Sequence, residues 1–232
     1  MKTLGLIGGI GPESTIEYYR LLVAGYRART GGGPYPSIII NSVDLQRLIA
    51  WITANELGRI TDYLVDEIGR LQSAGADFAA LASNTPHIVF NEIQRRVKLP
   101  LISIVETACE RVQALGFKTV GLFGTRFTMR ARFYPEVFSR TDIKLVIPNE
   151  DEQTYIHERY MGELLNNIFR PETRARMLEI ADELKARDGI EALILGGTEL
   201  PLLLRDEEHN GVRLLDTTRI HVDHLVERLL EE

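Results

Sequence analysis

The chain has 232 residues, of which 44% are hydrophobic and 26% are charged, as expected for a globular protein with a sizeable core. The formal net charge of −6 argues against a nucleic-acid partner, because nucleic-acid-binding proteins carry a basic patch or stripe. Cys109 is the only cysteine, which excludes an intrachain disulfide and favours the reducing cytoplasm. The sequence shows neither a signal peptide nor an apolar segment of membrane-spanning length, so we expect no membrane partner.

Short apolar runs alternate with amphipathic helical patterns, and this alternation predicts an α/β fold of parallel sheets flanked by helices. The predicted strands cover residues 3–7, 37–41, 78–81, 100–104, 119–123, 143–147, 192–195 and 212–215. The predicted helices with defined ranges cover residues 13–27, 54–74, 88–97, 106–115, 150–168 and 171–186. A short helix is also predicted from Asp44 to near Trp51, and another helix after Met129. The last predicted helix is capped by Asp216 or Thr217 and reaches Leu230.

Two similar seven-residue segments lie near the start and the middle of the chain. Residues 2–8 and 118–124 share five of seven residues, and the 75 residues from Gly8 to Ser83 compare with 73 from Gly124 to Gly197. A chance match is the alternative, but the shared spacing favours an internal duplication. We therefore predict two similar lobes, residues 1–104 plus 210–232 and residues 105–209. Ser83 and Gly197 would then lie on opposite sides of one ligand in the cleft between the lobes.

The glycine-rich turn Gly8-Gly-Ile-Gly11 follows the first predicted strand, where open α/β sheets bind ligands. It does not fit a dinucleotide fingerprint, because Ser14 stands where the third glycine is required. Glu13 would also repel a pyrophosphate. A small carboxylate fits better, since backbone N–H groups of a turn such as that at Gly9 accept anions without bulk.

Small polar residues follow several other predicted strands at their carboxyl ends. They offer hydroxyl, amide and carboxylate groups, and either they cap the next helix or they bind a ligand. We predict a ligand role because the two halves of the chain carry similar polar stretches at equivalent places. The residues are Asn84 and Thr85 after Ser83 in the first half, and Thr125, Thr128, Thr198 and Glu199 in the second.

Motifs spread over nearly the whole chain carry a resemblance to a known family. They are Gly8-Gly-Ile-Gly-Pro-Glu-Ser-Thr15, Ser42-Val-Asp44, Asn84-Thr85-x-His87, Gly124-Thr125 with Thr128-Met129, Gly196-x-Thr198-Glu199 and Asp216-Thr-Thr-x-Ile-His221. On these motifs the chain resembles the aspartate/glutamate racemase family, within the wider group of aspartate, glutamate, hydantoin and related racemases. The resemblance implies two α/β lobes related by a pseudo-twofold axis, a site in the cleft between them, no cofactor, and a homodimer.

The resemblance also implies a two-base proton transfer, in which one cysteine thiolate removes the α-proton and an opposite thiol returns one. The positions of those cysteines are Ser83 and Gly197 in this sequence, so two-cysteine racemisation cannot run in this chain. A serine hydroxyl ionises far above neutral pH unless a base assists it, and His87 is the nearest candidate. The alternative is that His87 bonds to a backbone carbonyl. His221 and Glu199 are further candidates, with Glu199 able to orient Thr198 or contact a substrate ammonium group.

Three functions remain open at this point. The first is an amino-acid racemase-family enzyme that binds a small carboxylate, such as aspartate or glutamate, and uses acid/base groups other than thiols. The second is a lyase, decarboxylase or isomerase acting on a related dicarboxylate. The third is a protein that binds a small carboxylate without turnover. An engineered replacement of both cysteines is a further alternative, although glycine at position 197 would be an odd design choice.

Overall fold

The computed structural model describes residues 2–231, and the chain divides into two units. The first unit comprises Met1–Ile104 and His221–Glu232, and the second comprises Val105–Ile220. Residues 1 and 232, at the ends of the predicted first lobe, lie outside the described residues. The predicted return to the first lobe at residue 210 comes too early. Residues 212–216 form a strand that pairs in parallel with residues 192–196, so this segment stays in the second unit.

The first unit contains a four-stranded parallel sheet in the order β2-β1-β3-β4. Its strands are β1 (Thr3–Gly8), β2 (Ser37–Ser42), β3 (Phe78–Leu81) and β4 (Leu101–Ile102). Its helices are α1 (Pro12–Arg29), α2 (Leu45–Thr53), α3 (Leu57–Ser73) and α4 (Phe90–Arg96), with a 3₁₀ turn at Thr85–Val89. Helix α5 (Ile104–Ala114) begins at the last residue of this segment and continues into the second unit.

Two hydrophobic clusters cover the first sheet, because side chains alternate between the faces of a strand. On α3, Ile60, Leu64, Ile68 and Leu71 are buried in one cluster, as their helical spacing predicts. The other cluster joins β1 to α1 and to the last helix of the chain, with Leu4, Leu22 and Leu225 among its members. Both faces of the sheet are therefore packed, as a parallel sheet requires.

The second unit contains a five-stranded sheet in the order β6-β5-β7-β9-β8. Its strands are β5 (Thr119–Gly124), β6 (Lys144–Val146), β7 (Ala192–Gly196), β8 (Glu208–His209) and β9 (Val212–Asp216), of which only β8 is antiparallel. Its helices are α6 (Arg126–Arg130), α7 (Phe133–Phe138), α8 (Glu150–Gly162), α9 (Pro171–Asp188) and α10 (Leu200–Leu203), and α11 (Thr217–Leu230) leads back into the first unit. Leaving β8 aside, the strands of the two units follow the same order, as a duplication predicts. The predicted α/β class is confirmed.

Several predicted elements are shorter in the structure, and two of them end early for an identifiable reason. The strand expected over residues 100–104 forms only at Leu101–Ile102, because the Ile104 amide already begins α5 and donates to a histidine ring. The helix expected over residues 150–168 ends at Gly162, and a 3₁₀ turn at Leu164–Asn166 follows it. Asn167 then takes a left-handed conformation, with φ of 58°, which stops the turn.

Candidate functional site

Ser83 lies just beyond the carboxyl end of β3, next to the end of β1. The two strands pair in parallel up to Ile7 and Leu81, so their carboxyl ends share one edge of the sheet. Ser83 is 9% exposed and Asn84 is 1% exposed, while Thr85 is half-buried. Ser14 Oγ donates to the carbonyl oxygen of Ala82 at 2.8 Å, which fixes the start of α1 beside this segment.

Gly9 holds the turn after β1 in a left-handed conformation, with φ of 79°. A Cβ at this position would lie 2.6 Å from Ser42 Oγ and 2.8 Å from the backbone nitrogen of Val43, so the turn requires glycine. The Gly9 amide donates to Thr15 Oγ1 at 2.8 Å. This N–H was the predicted anion donor, and the protein already uses it to hold the first turn of α1.

His87 is held by two backbone groups. Its Nδ1 donates to the carbonyl oxygen of Asn84 at 3.2 Å, and its Nε2 accepts from the amide of Ile104 at 3.3 Å. This pair of partners requires the neutral tautomer with the proton on Nδ1. Burial lowers the pKa of His87 to about 4 against the opposing backbone hydrogen bonds, and the ring stacks on Phe90. The geometry matches the structural alternative for His87 and not the predicted role as a base for Ser83.

His221 is constrained in the same way. Tyr18 Oη lies 2.8 Å from its Nδ1, and its Nε2 donates to the carbonyl oxygen of Ile102 at 3.1 Å. The Tyr18 hydroxyl therefore donates to Nδ1. Burial, followed by repulsion from His87 once that ring is protonated, lowers the pKa of His221 to about 3. His221 and Tyr18 form a neutral buried pair that joins α11 to α1.

Thr125 and Thr128 follow β5 in the second unit. Thr125 Oγ1 accepts from the amide of Thr128 at 3.2 Å and caps α6, and the two hydroxyl oxygens lie 3.2 Å apart. Both side chains are buried. Helix capping therefore accounts for part of this motif, and a role in substrate binding stays a prediction.

The ring of Tyr160 occupies the space beside Gly197. A Cβ added to Gly197 would lie 2.7 Å from Tyr160 Oη and 2.9 Å from Cζ, closer than real Cβ atoms approach. Tyr160 belongs to α8, and its side chain is 5% exposed. Because Gly197 is not among the glycines with positive φ, its backbone conformation does not require glycine. The ring of Tyr160 requires glycine at this position, because it occupies the space that a Cβ would fill.

Tyr160, Thr198 and Glu199 form a buried cluster of polar side chains, here called the Glu199 cluster. Tyr160 Oη donates a hydrogen bond to Glu199 Oε2, and Thr198 Oγ1 donates to the same oxygen at 3.0 Å. All three residues are at most 5% exposed. Burial, followed by the charge of Glu199, raises the pKa of Tyr160 well above its usual value. One carboxylate oxygen thus accepts from two hydroxyl groups.

Two features of the second unit escaped the sequence reasoning. Tyr160 lies 39 residues before Glu199 and belongs to none of the motifs. Arg126 follows Thr125 directly, and its Nε is buried without a hydrogen-bond partner among the described residues. A glycine beside a buried strand end could have signalled that a large side chain fills the space, but not which one.

Asp44 and Cys109 have local structural roles. Asp44 caps α2 by accepting from the amides of Gln46 and Arg47. Cys109 is 4% exposed, and burial raises the pKa of its thiol. Within residues 2–231, no group of three or more His, Cys, Asp or Glu side chains is arranged to hold a metal ion. No helix in that range combines the length and apolarity needed to cross a membrane.

Comparison with known proteins decides the family. The model of the Asp/Glu/hydantoin racemase family matches residues 7–225. The chain belongs to the Asp/Glu/hydantoin racemase family. The resemblance seen in the sequence motifs is therefore confirmed.

The chain is similar to two solved structures over its whole length and to a curated racemase over part of it. The chain is similar to a candidate Asp/Glu racemase from Yersinia pestis, with 30% identity and a TM-score of 0.91, and to an aspartate racemase homologue from Pyrococcus horikoshii, with 32% identity and a TM-score of 0.84. Both comparisons cover the whole of each chain. It is also 28% identical over 138 residues to a broad specificity amino-acid racemase of Bacillus subtilis. This match covers 58% of this chain and 59% of that protein.

Proposed function

We propose that the protein exchanges the α-proton of a small amino acid of the aspartate or glutamate type, using acid/base groups other than thiols. The observation that carries the proposal is the Glu199 cluster, which places a carboxylate and two hydroxyl groups in a buried position beyond the end of β7. Buried carboxylates are uncommon unless they are paired, and they concentrate at functional sites. This one follows Gly197, where the resemblance places a catalytic residue.

Arg126 supports a carboxylate-bearing substrate. Its guanidinium has a buried Nε without a partner among the described residues, and it lies at the carboxyl end of β5 beside β7. Guanidinium groups bind carboxylates through charge-assisted and often bidentate hydrogen bonds. A substrate carboxylate would therefore satisfy a donor that the protein leaves unsatisfied.

The test is deuterium exchange at the α-carbon. The protein is incubated in D₂O with single enantiomers of aspartate, glutamate and the other common amino acids, and the α-proton signal and the optical configuration are followed. We expect loss of the α-proton signal for at least one amino acid, with inversion. A Cys109→Ala variant is the matched control and should retain the full rate, because the only thiol of the chain is buried and stands at neither position 83 nor position 197. No exchange with any amino acid would exclude the proposal.

Binding without turnover is the second candidate, and the geometry of His87 favours it. Both ring nitrogens bond to backbone groups, so this histidine is not poised to activate Ser83. A thermal-shift series with small amino and dicarboxylic acids separates the two functions. Stabilisation by an acid that is recovered with its α-proton unexchanged supports binding alone.

The homodimer that the resemblance implies stays a prediction. Sedimentation equilibrium at several protein concentrations would test it directly, since a dimer of this chain has twice the mass of 26.2 kDa. A single species of monomer mass throughout would contradict it.

A further inference from the structure

We propose that Tyr160 and Glu199 together replace the missing side chain of position 197 as the acid/base group of the second unit, with Tyr160 passing a proton between the substrate α-carbon and Glu199. This inference rests on the proposed function and names the groups that perform it. It uses a residue outside every motif that supports the resemblance.

The first support is the space that the phenol fills. The Cβ of any side chain at position 197 would lie 2.7 Å from Tyr160 Oη. The phenolic oxygen is therefore in the region that the functional group of residue 197 would otherwise occupy. Since Tyr160 belongs to α8 and Gly197 follows β7, this replacement requires packing of two distant segments.

The second support is the hydrogen bonding of the phenol. Its oxygen donates to Glu199 Oε2, and the same carboxylate oxygen accepts from Thr198 Oγ1. The phenolic oxygen also accepts a hydrogen bond from the backbone N–H of Glu199, which stabilises the negative charge that develops on this oxygen as its proton passes to the carboxylate. The geometry is that of a nucleophile or base oriented by a second group.

The proton step balances without a phenolate accumulating. The substrate Cα–H bond breaks, its proton bonds to Tyr160 Oη, and the original phenolic proton passes to Glu199 Oε2. The bonding electron pair stays on the α-carbon as a carbanion. One negative charge thus moves from the Glu199 carboxylate to the substrate. The exchange is complete when a solvent deuteron replaces the proton held by Tyr160 and Glu199, and Tyr160 then delivers that deuteron to the α-carbon while Glu199 returns a proton to the phenolic oxygen.

The raised pKa of Tyr160 agrees with this route, since a relay does not require the free phenolate. It also gives the reaction a distinct dependence on pH. The rate should not rise steeply above pH 9, as it would if the phenolate were the base.

The experiment compares deuterium exchange in the Tyr160→Phe, Glu199→Gln and Tyr155→Phe variants, with D- and L-aspartate and D- and L-glutamate as probes. Tyr160→Phe keeps the ring that fills the space and removes only the hydroxyl. Tyr155→Phe removes a hydroxyl from the same helix and serves as the control. We expect a fall of about 10²- to 10⁴-fold in inversion for the first two variants and no change for the third, as is typical for loss of a general acid/base group.

The enantiomers give a second readout, because a two-base reaction uses a different group for each. Tyr160→Phe should lose α-proton exchange when one enantiomer is the substrate and retain it when the other enantiomer is the substrate. General destabilisation of the protein would lower the exchange rate with both enantiomers. Melting temperatures establish that each variant is folded, and Glu199→Gln carries the test if Tyr160→Phe does not fold. Inversion within about threefold of wild type in a folded Tyr160→Phe overturns this inference and leaves the proposed function intact. Absence of exchange in the wild-type protein overturns both.

Discussion

Replacing Gly197 by alanine tests the close packing of Tyr160 directly. The new Cβ would lie 2.7 Å from Tyr160 Oη and 2.9 Å from Cζ, whereas non-bonded carbon atoms prefer about 3.5–4.0 Å. The ring must therefore move by roughly 0.5–1 Å, against its hydrogen bond to Glu199 and the surrounding core. Since the backbone of Gly197 is not in the left-handed region, the entire cost is steric.

The expected loss is about 1–3 kcal/mol in the free energy of unfolding, the usual cost of overpacking a core. In a domain of this size that corresponds to a fall in melting temperature of about 2–4 °C for each kcal/mol. Urea unfolding followed by circular dichroism measures the free energy, and differential scanning calorimetry measures the temperature.

Gly162→Ala is the matched control, because Gly162 ends the same helix as Tyr160 and its Cβ would meet nothing within 4 Å. That variant should be neutral or slightly stabilising, since alanine favours the helix by up to about 1 kcal/mol over glycine. In a Tyr160→Leu background, Gly197→Ala should cost less, and the difference is the coupling energy of the pair. A loss below about 0.5 kcal/mol, or an equal loss in both backgrounds, would refute the close packing of Tyr160 on Gly197.

Three further outcomes are expected. The free energy of unfolding should fall by up to about 1.4 kcal/mol per pH unit as the pH decreases from about 6.5 to about 4, because His87 binds a proton in the unfolded chain and stays neutral when buried in the folded protein. Urea titrations at several pH values should show a weaker dependence of this free energy on pH for His87→Gln. Asn149→Ala should cost about 1 kcal/mol in urea unfolding, because it removes the capping box with Glu152 that starts α8, and Asn149→Ser should recover most of it. Ser83→Cys should speed α-deuteration at least about tenfold, since a thiol ionises near pH 8.5, and an unchanged rate would argue against Ser83 facing the substrate.

The order of strands and helices could be predicted because it depends on local sequence patterns. The spacing of Ile60, Leu64 and Ile68 defines the buried face of α3 without knowledge of any partner. The seven-residue repeat predicted that two units share one strand order. The position of β9 could not be predicted in this way, since a short apolar strand pairs as well with one sheet as with another until the fold brings them together.

The candidate site was predicted only in part, because motif residues reveal chemistry but not their partners. Gly9 follows β1 directly and His87 lies in the 3₁₀ turn after β3, and their polar groups bond to the protein itself. Tyr160 was missed for the opposite reason. Its contact with Glu199 spans 39 residues and depends on which face of α8 turns toward the end of β7.

The replacement of a thiol by a phenol changes what the site must supply. A cysteine with a pKa near 8.5 reaches both protonation states near neutrality without help, whereas a phenol starts near 10 and is raised further by burial here. A tyrosine alone would therefore be an adequate acid and a poor base. Glu199 removes that asymmetry, because it accepts the phenolic proton as the substrate proton arrives. Position 197 can consequently be glycine without loss of acid/base function, provided that Tyr160 and Glu199 stay bonded.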